Sequence, residues 1–223
     1  GVRLQLTPEQ ARMVFEDCGF VFLFAPHYHP ALGPIAPVRR ALGTRTIFNF
    51  LGPLCNPGKV TRQLLGVSDR ARLADYARVL ETLGCRHGAV VHGAGGADEL
   101  TLEGSNFLIW IGRGESVPRG GATSLLAQEF GLEPAPVTAL AGGDAARNLQ
   151  ILGRVLDGEK GPVRDAVLLN AAVAIFLADA GARGAGSLQD ACARGRAALD
   201  SGAVKRLLAR VVASSRKAAG ETA

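Results

Sequence analysis

Residues 63–92 read QLLGVSDRARLADYARVLETLGCRHGAVVH, and this stretch decides the fold class. Residues 63–67 form a short apolar run, which is read as a strand. Over 69–83, Leu73, Tyr76, Val79, Leu80 and Leu83 share one face of a helix. Residues 88–92, closing on Val90-Val91-His92, read as a buried strand. A strand, a helix and a strand in succession predict an α/β fold with a central sheet flanked by helices.

Further along the chain, 100–102 and 107–111 have the composition of additional strands. Asp144 caps a helix to residue 156, with Leu149, Leu152, Val155 and Leu156 as its apolar face. Pro162 opens a buried helix whose apolar run, 166–178, is interrupted by Asn170 and is too short to span a bilayer. Ser187 caps a helix through residue 199. An amphipathic helix follows over 203–212, and the polar tail 213–223 is expected to fray.

On the N-terminal side, Thr7, Pro8 and Gln10 make a helix start with a capping box, and Gly19 marks the stop. Residues 20–24 read as a short buried strand or turn. His29-Pro30 opens a second helical stretch to residue 42, bent by Pro34 and Pro37 and stopped at Gly43. Gly52-Pro53 and Asn56-Pro57-Gly58 punctuate the next segment. The proline-broken stretch 26–57 stands apart from the strand–helix alternation, as a hinge or as part of a helical domain.

The composition sets limits on function. The chain has 223 residues, of which 48% are hydrophobic and 20% charged, enough for a real core in one large domain or two unequal ones. The net charge of +5 permits an anionic partner, either a phosphate-rich small molecule or a nucleic acid. Cys18, Cys55, Cys85 and Cys192 show no CxxC pairing. They indicate neither a zinc site nor a disulfide framework, and are read as reduced thiols of a cytoplasmic protein. There is no P-loop, HExxH or GxSxG, which removes support from most hydrolase and NTPase classes.

Three segments have the residue types for chemistry. Pro26-His27-Tyr28-His29-Pro30, followed by Arg39-Arg40, offers an imidazole and a guanidinium. Arginine suits two-point recognition of a carboxylate, although spacing alone leaves an ordinary surface arginine open. In Val90-Val91-His92-Gly93-Ala94-Gly95-Gly96-Ala97-Asp98-Glu99, a strand runs into a glycine-rich turn that ends in two adjacent carboxylates. Both can reach one Mg²⁺, which takes oxygen ligands. A solvated hairpin turn is the plainer alternative. The glycines do not make a dinucleotide fingerprint, because no helix follows them directly. In 45–57, apolar residues surround Asn49 and Asn56 between two Gly/Pro stops, which suggests a shaped connection.

Together these segments resemble the anthranilate phosphoribosyltransferase family. The resemblance rests on Phe22-Leu23-Phe24-Ala25-Pro26, His29-Pro30-Ala31, Ala36-Pro37-Val38-Arg39-Arg40 with Leu42-Gly43, and Arg45-Thr46-Ile47-Phe48-Asn49. It continues through Leu51-Gly52-Pro53-Leu54, Val90-Val91-His92-Gly93 with Asp98-Glu99, Gly142-Gly143-Asp144 with Asn148, and Gly161-Pro162-Val163-Arg164-Asp165 to Asn170-Ala171. Residues 1 to about 212 are covered.

The resemblance implies a nucleoside phosphorylase/phosphoribosyltransferase-like fold, with a large α/β domain beside a small helical one. On that reading 1–25 begins the α/β domain, 26–57 supplies hinge and helical-domain segments, and 58–223 is the α/β domain with C-terminal helices. The implied reaction is transfer of phosphoribosyl from phosphoribosyl diphosphate to anthranilate in tryptophan biosynthesis, with release of pyrophosphate. The resemblance further implies that Arg39 holds the anthranilate carboxylate, that His29 and Pro26 line the acceptor channel, and that Asp98 and Glu99 hold Mg²⁺. It implies a cytoplasmic homodimer formed through the helical domain, without a membrane.

Two features depart from the family pattern. Leu32 is followed by Gly33 and Pro34 where relatives carry a basic residue. The family's glycine-rich diphosphate loop and its Lys-His-Gly-Asn segment lie upstream of anything in this chain, so the chain alone is expected to be inactive. The other expectation is a non-catalytic relative of the same fold that binds nucleic acid, which has no need for Arg39 or the acidic pair.

Overall fold

The computed structural model describes residues 1–30, 33–35, 37, 41–43, 51–112, 122–180 and 186–221. They fall into two compact units, Gly1–Lys59 with Ala203–Ala223, and Val60–Gly202.

The second unit is built on residues 62–92. Strand β1 (Arg62–Gly66) runs parallel to β2 (His87–His92), and the intervening segment contains helix α3 (Leu73–Thr82). Asp69 starts that segment by accepting from the Ala71 N–H. Strand β3 (Asn106–Gly112) pairs antiparallel with β2, and β4 (Ala122–Leu125) pairs antiparallel with β3. The strand order is β1-β2-β3-β4. Ala89, Val90 and Val91 are all buried, as expected for a strand covered on both faces. The apolar residues of α3 that fill the core are Leu73, Tyr76, Ala77 and Leu80, whereas Val79 and Leu83 are exposed.

Helix α4 (Ala145–Leu156) begins at Asp144, whose carboxylate accepts from the Arg147 N–H. Only Val155 of its expected apolar face is buried, and Leu149 and Leu152 are exposed. Helix α5 (Pro162–Asp179) is the main core helix and packs on β1, β2 and α6 (Leu188–Asp200). Its Phe176 meets Trp110 of β3 edge-on at 5.6 Å. Ser187 and Asp190 cap α6 reciprocally.

In the first unit, α1 (Pro8–Cys18) carries the full capping box between Thr7 and Gln10. It closes on Gly19 in the left-handed region, φ 70°. Leu6, Ala11 and Val14 form a small core. The C-terminal helix α7 (Ala203–Ala218) packs against α1, with the Arg3 N–H donating to Ser215 Oγ at 3.0 Å.

Several expectations are corrected. Residues 20–24 form no strand, and Phe20 and Phe22 are exposed. Residues 100–102 are buried without strand pairing, because side-chain amides take their backbone groups. Residues 213–218 do not fray but continue α7, whose Ser215 is buried. No described helix is long and apolar enough to cross a membrane.

Candidate functional site

The acidic pair lies on the turn after β2. The chain leaves β2 at His92, whose Nδ1–H donates to the Val67 carbonyl at 2.9 Å. That bond ties the ends of β1 and β2 together. The turn reverses through Gly95 and Gly96, with φ of 77° and 81°, values that glycine adopts without a Cβ clash. It closes where the Gly93 N–H donates to the Ala97 carbonyl at 2.9 Å. Asp98 and Glu99 follow, both exposed, and Leu100 and Thr101 then plunge into the core at 0% exposure.

Glycines let the backbone of this turn lie close to the strands. A Cβ on Gly66 would stand 1.4 Å from the Asp98 carbonyl oxygen, and one on Gly93 would stand 1.9 Å from that of Glu99. Neither position admits a side chain with the turn where it is.

Asn106 closes the turn from inside. It is 0% exposed, and its Oδ1 accepts from the Thr101 N–H at 2.7 Å and the Ala94 N–H at 3.4 Å. Its Nδ2 donates to the carbonyls of Thr101, Gly104 and Leu125. Asn170 of α5 reaches the turn from the helix side. The Leu100 N–H donates to its Oδ1 at 3.0 Å, and its Nδ2 donates to the Leu100 carbonyl at 2.8 Å. Nearby, the Arg70 guanidinium stacks 3.4 Å from the centre of the Phe107 ring.

Among the described residues, neither Asp98 nor Glu99 has a hydrogen-bond or ion-pair partner. The described residues contain no cluster of three or more His, Cys, Asp or Glu suited to a metal. Two free carboxylates suit a hard cation that keeps water and substrate oxygens in its remaining positions. That is how Mg²⁺ is usually bound, and it does not satisfy zinc. The donor set therefore fits Mg²⁺.

The other expected site residues belong to the first unit. Pro26 is exposed in the single-turn helix α2 (Ala25–Tyr28), and His29 ends that turn, half-buried, its N–H on the Ala25 carbonyl. Tyr28 anchors the turn by packing against the Leu6–Ala11–Val14 core, and burial raises its phenol pKa. Arg39 lies outside the described residues. The structure thus brings Asp98 and Glu99 together on one turn and Pro26 and His29 together on another.

Gly66, Asn106 and Asn170 shape the turn that bears the acidic pair, and the sequence alone did not single them out for that. Asn170 carried a signal, since a polar amide inside an apolar helical run needs a buried partner.

Residues 1–205 match the family described as "Glycosyl transferase family, a/b domain". The chain is 44% identical over 220 residues to the anthranilate phosphoribosyltransferase of Chromobacterium violaceum, covering 99% of this chain and 62% of that protein. It is 42% identical to the enzyme of the same name from Roseiflexus sp., of which it spans 63%. Among solved structures, the anthranilate phosphoribosyltransferase of Thermus thermophilus superposes with a TM-score of 0.86 at 43% identity, covering 97% of this chain and 62% of that one. The Saccharomyces cerevisiae enzyme in complex with PRPP and Mg has a TM-score of 0.84 at 26% identity, over 96% of this chain and 59% of its own. The chain thus spans about three fifths of the length of these relatives.

Proposed function

The chain belongs to the glycosyl transferase family whose α/β domain matches residues 1–205, and on that premise we propose that it serves as an anthranilate phosphoribosyltransferase. The observation that carries this reading is the exposed Asp98–Glu99 pair, without a partner among the described residues and held on a glycine-shaped turn at the end of β2. The names of the relatives support it over nucleic-acid binding.

In the proposed reaction the amine nitrogen of anthranilate bonds to the anomeric carbon of phosphoribosyl diphosphate. The carbon–oxygen bond to the diphosphate breaks, pyrophosphate leaves, and the new anilinium loses its extra proton. Such a displacement depends on positioning and on charge stabilisation at the leaving group. Asp98 and Glu99 would hold Mg²⁺, which would supply neutralisation of the diphosphate charge. The two side chains are free to act as ligands because no partner among the described residues competes for them. Their backbone is held by close contact with Gly66 and Gly93. Pro26 and His29 are assigned to the wall of the acceptor channel, on a turn that Tyr28 pins to its core. Arg39 is assigned to the anthranilate carboxylate, the pairing for which a guanidinium fork is shaped. The protein is further proposed to be a cytoplasmic homodimer, which sedimentation of the natural full-length polypeptide tests.

The deciding experiment follows phosphoribosyl transfer to anthranilate by loss of anthranilate fluorescence, in the full-length polypeptide with Mg²⁺. Activity is expected, and Asp98→Asn combined with Glu99→Gln should lower kcat/KM by roughly 100-fold or more. Arg39→Ala should raise KM for anthranilate well above any change in KM for phosphoribosyl diphosphate. A folded polypeptide without transfer activity overturns the proposal, and equal effects on both KM values overturn the role of Arg39.

A further inference from the structure

We infer that Asn170 is a positioning residue for the acidic turn, fixing from the core helix α5 where the Asp98 and Glu99 carboxylates stand. The inference rests on the reading of that pair as the metal-binding site. Asn170 is half-buried on a helix whose neighbouring Leu168, Leu169 and Val173 are 0% exposed. Its planar amide meets Leu100 at two points, accepting from the N–H at 3.0 Å and donating to the carbonyl at 2.8 Å. Two antiparallel hydrogen bonds fix direction as well as distance. A second donation from Nδ2, to the Ala166 carbonyl at 2.9 Å, locks the amide to its own helix.

The Leu100 N–H belongs to the peptide that begins at the Glu99 carbonyl. That carbonyl lies against Gly93, closer than any Cβ would allow. One peptide is therefore held at its N–H by Asn170 and at its oxygen side by Gly93. The preceding carbonyl, that of Asp98, rests on Gly66 in the same way. The backbone bearing both carboxylates is thereby fixed, while the side chains themselves remain exposed. Leu100 is 0% exposed, so water has no access to replace the amide. Mg²⁺ demands near-ideal ligand geometry, and residues that orient its ligands govern affinity without touching the ion.

The test uses Mn²⁺ as the probe, with pyrophosphate present, in the full-length polypeptide, reading free Mn²⁺ by electron paramagnetic resonance. Asn170→Ala should weaken Mn²⁺ binding roughly 10- to 100-fold, with KM for anthranilate unmoved. Val173→Ala, one turn along α5 and fully buried, controls for general loosening of the helix and should leave Mn²⁺ affinity close to wild type.

Hydrogen exchange gives a readout that does not depend on metal. Asn170→Asp, nearly isosteric and lacking the amide donor, should speed exchange of the amides of 98–101 roughly tenfold, with β2 unchanged. Unchanged exchange in this variant, or equal loss of Mn²⁺ affinity in Asn170→Ala and Val173→Ala, overturns the inference. If Asp98→Asn with Glu99→Gln leaves Mn²⁺ binding intact, the metal-site reading fails. The exchange result then still decides whether Asn170 holds the turn.

Discussion

Asn106 shows how much a single side chain can organise. Fully buried, it serves backbone groups of Ala94, Thr101, Gly104 and Leu125. Asn106→Ala strands several of them without water, so unfolding in urea should show a loss of about 3 kcal/mol. An unchanged midpoint would mean that the turn finds other partners. Gly66 works by having no side chain. Gly66→Ala places a methyl within 1.4 Å of the Asp98 carbonyl, and one of the two must move. The expected outcome is roughly 1–3 kcal/mol less stability, together with weaker Mn²⁺ binding in the same resonance titration. The placement of the acidic pair was legible in the sequence, where a strand runs into Gly93, Gly95 and Gly96 just before Asp98-Glu99. The roles of Asn106 and Gly66 were not legible. They depend on which backbone atoms come close in space, and no local pattern encodes that.

At the scale of elements, boundaries set by local chemistry were read well. Thr7, Asp144 and Ser187 each cap the helix that follows, because a short polar side chain satisfies N–H groups its own neighbours cannot. Thr7→Ala should lower stability by about 1 kcal/mol, read as an earlier loss of helical circular dichroism on heating. No shift in the melting curve would show that Gln10 alone holds the start of α1. Where tertiary contact decides, the reading failed. Residues 100–102 have strand-like composition, yet Asn106 and Asn170 claim the backbone bonds a strand would use. Helix α7 runs on to Ala218 because it packs on α1, with Ala218 and Ala219 against the Leu6 cluster. The polar look of 213–218 conceals one buried face.

On the scale of the folded chain, pH bears on stability through His87 of the α/β unit. In the α/β unit, burial lowers the pKa of His87, and the charges of Arg62 and Arg86 lower it further. Its Nδ1 is buried without a partner among the described residues, beside Cys85, Glu81 and Arg86 in a cavity of about 420 Å³. The unfolded chain then binds a proton that the folded one refuses. The stability His87 contributes is full above the ordinary histidine pKa near 6.5 and is lost as pH falls through the lower folded value. Unfolding free energy measured between about pH 7 and pH 5 should therefore decline, and His87→Gln should flatten that slope. An equal slope in the variant would assign the effect to other groups.

The turn bearing Asp98 and Glu99 has no soft attachment of its own, because Asn106 sits on β3 and Asn170 on α5, the elements that form the core of this unit. Local opening of the turn then demands most of the work of dissolving the sheet. On warming, release of metal from the proposed site and loss of this unit's structure should trace a single curve.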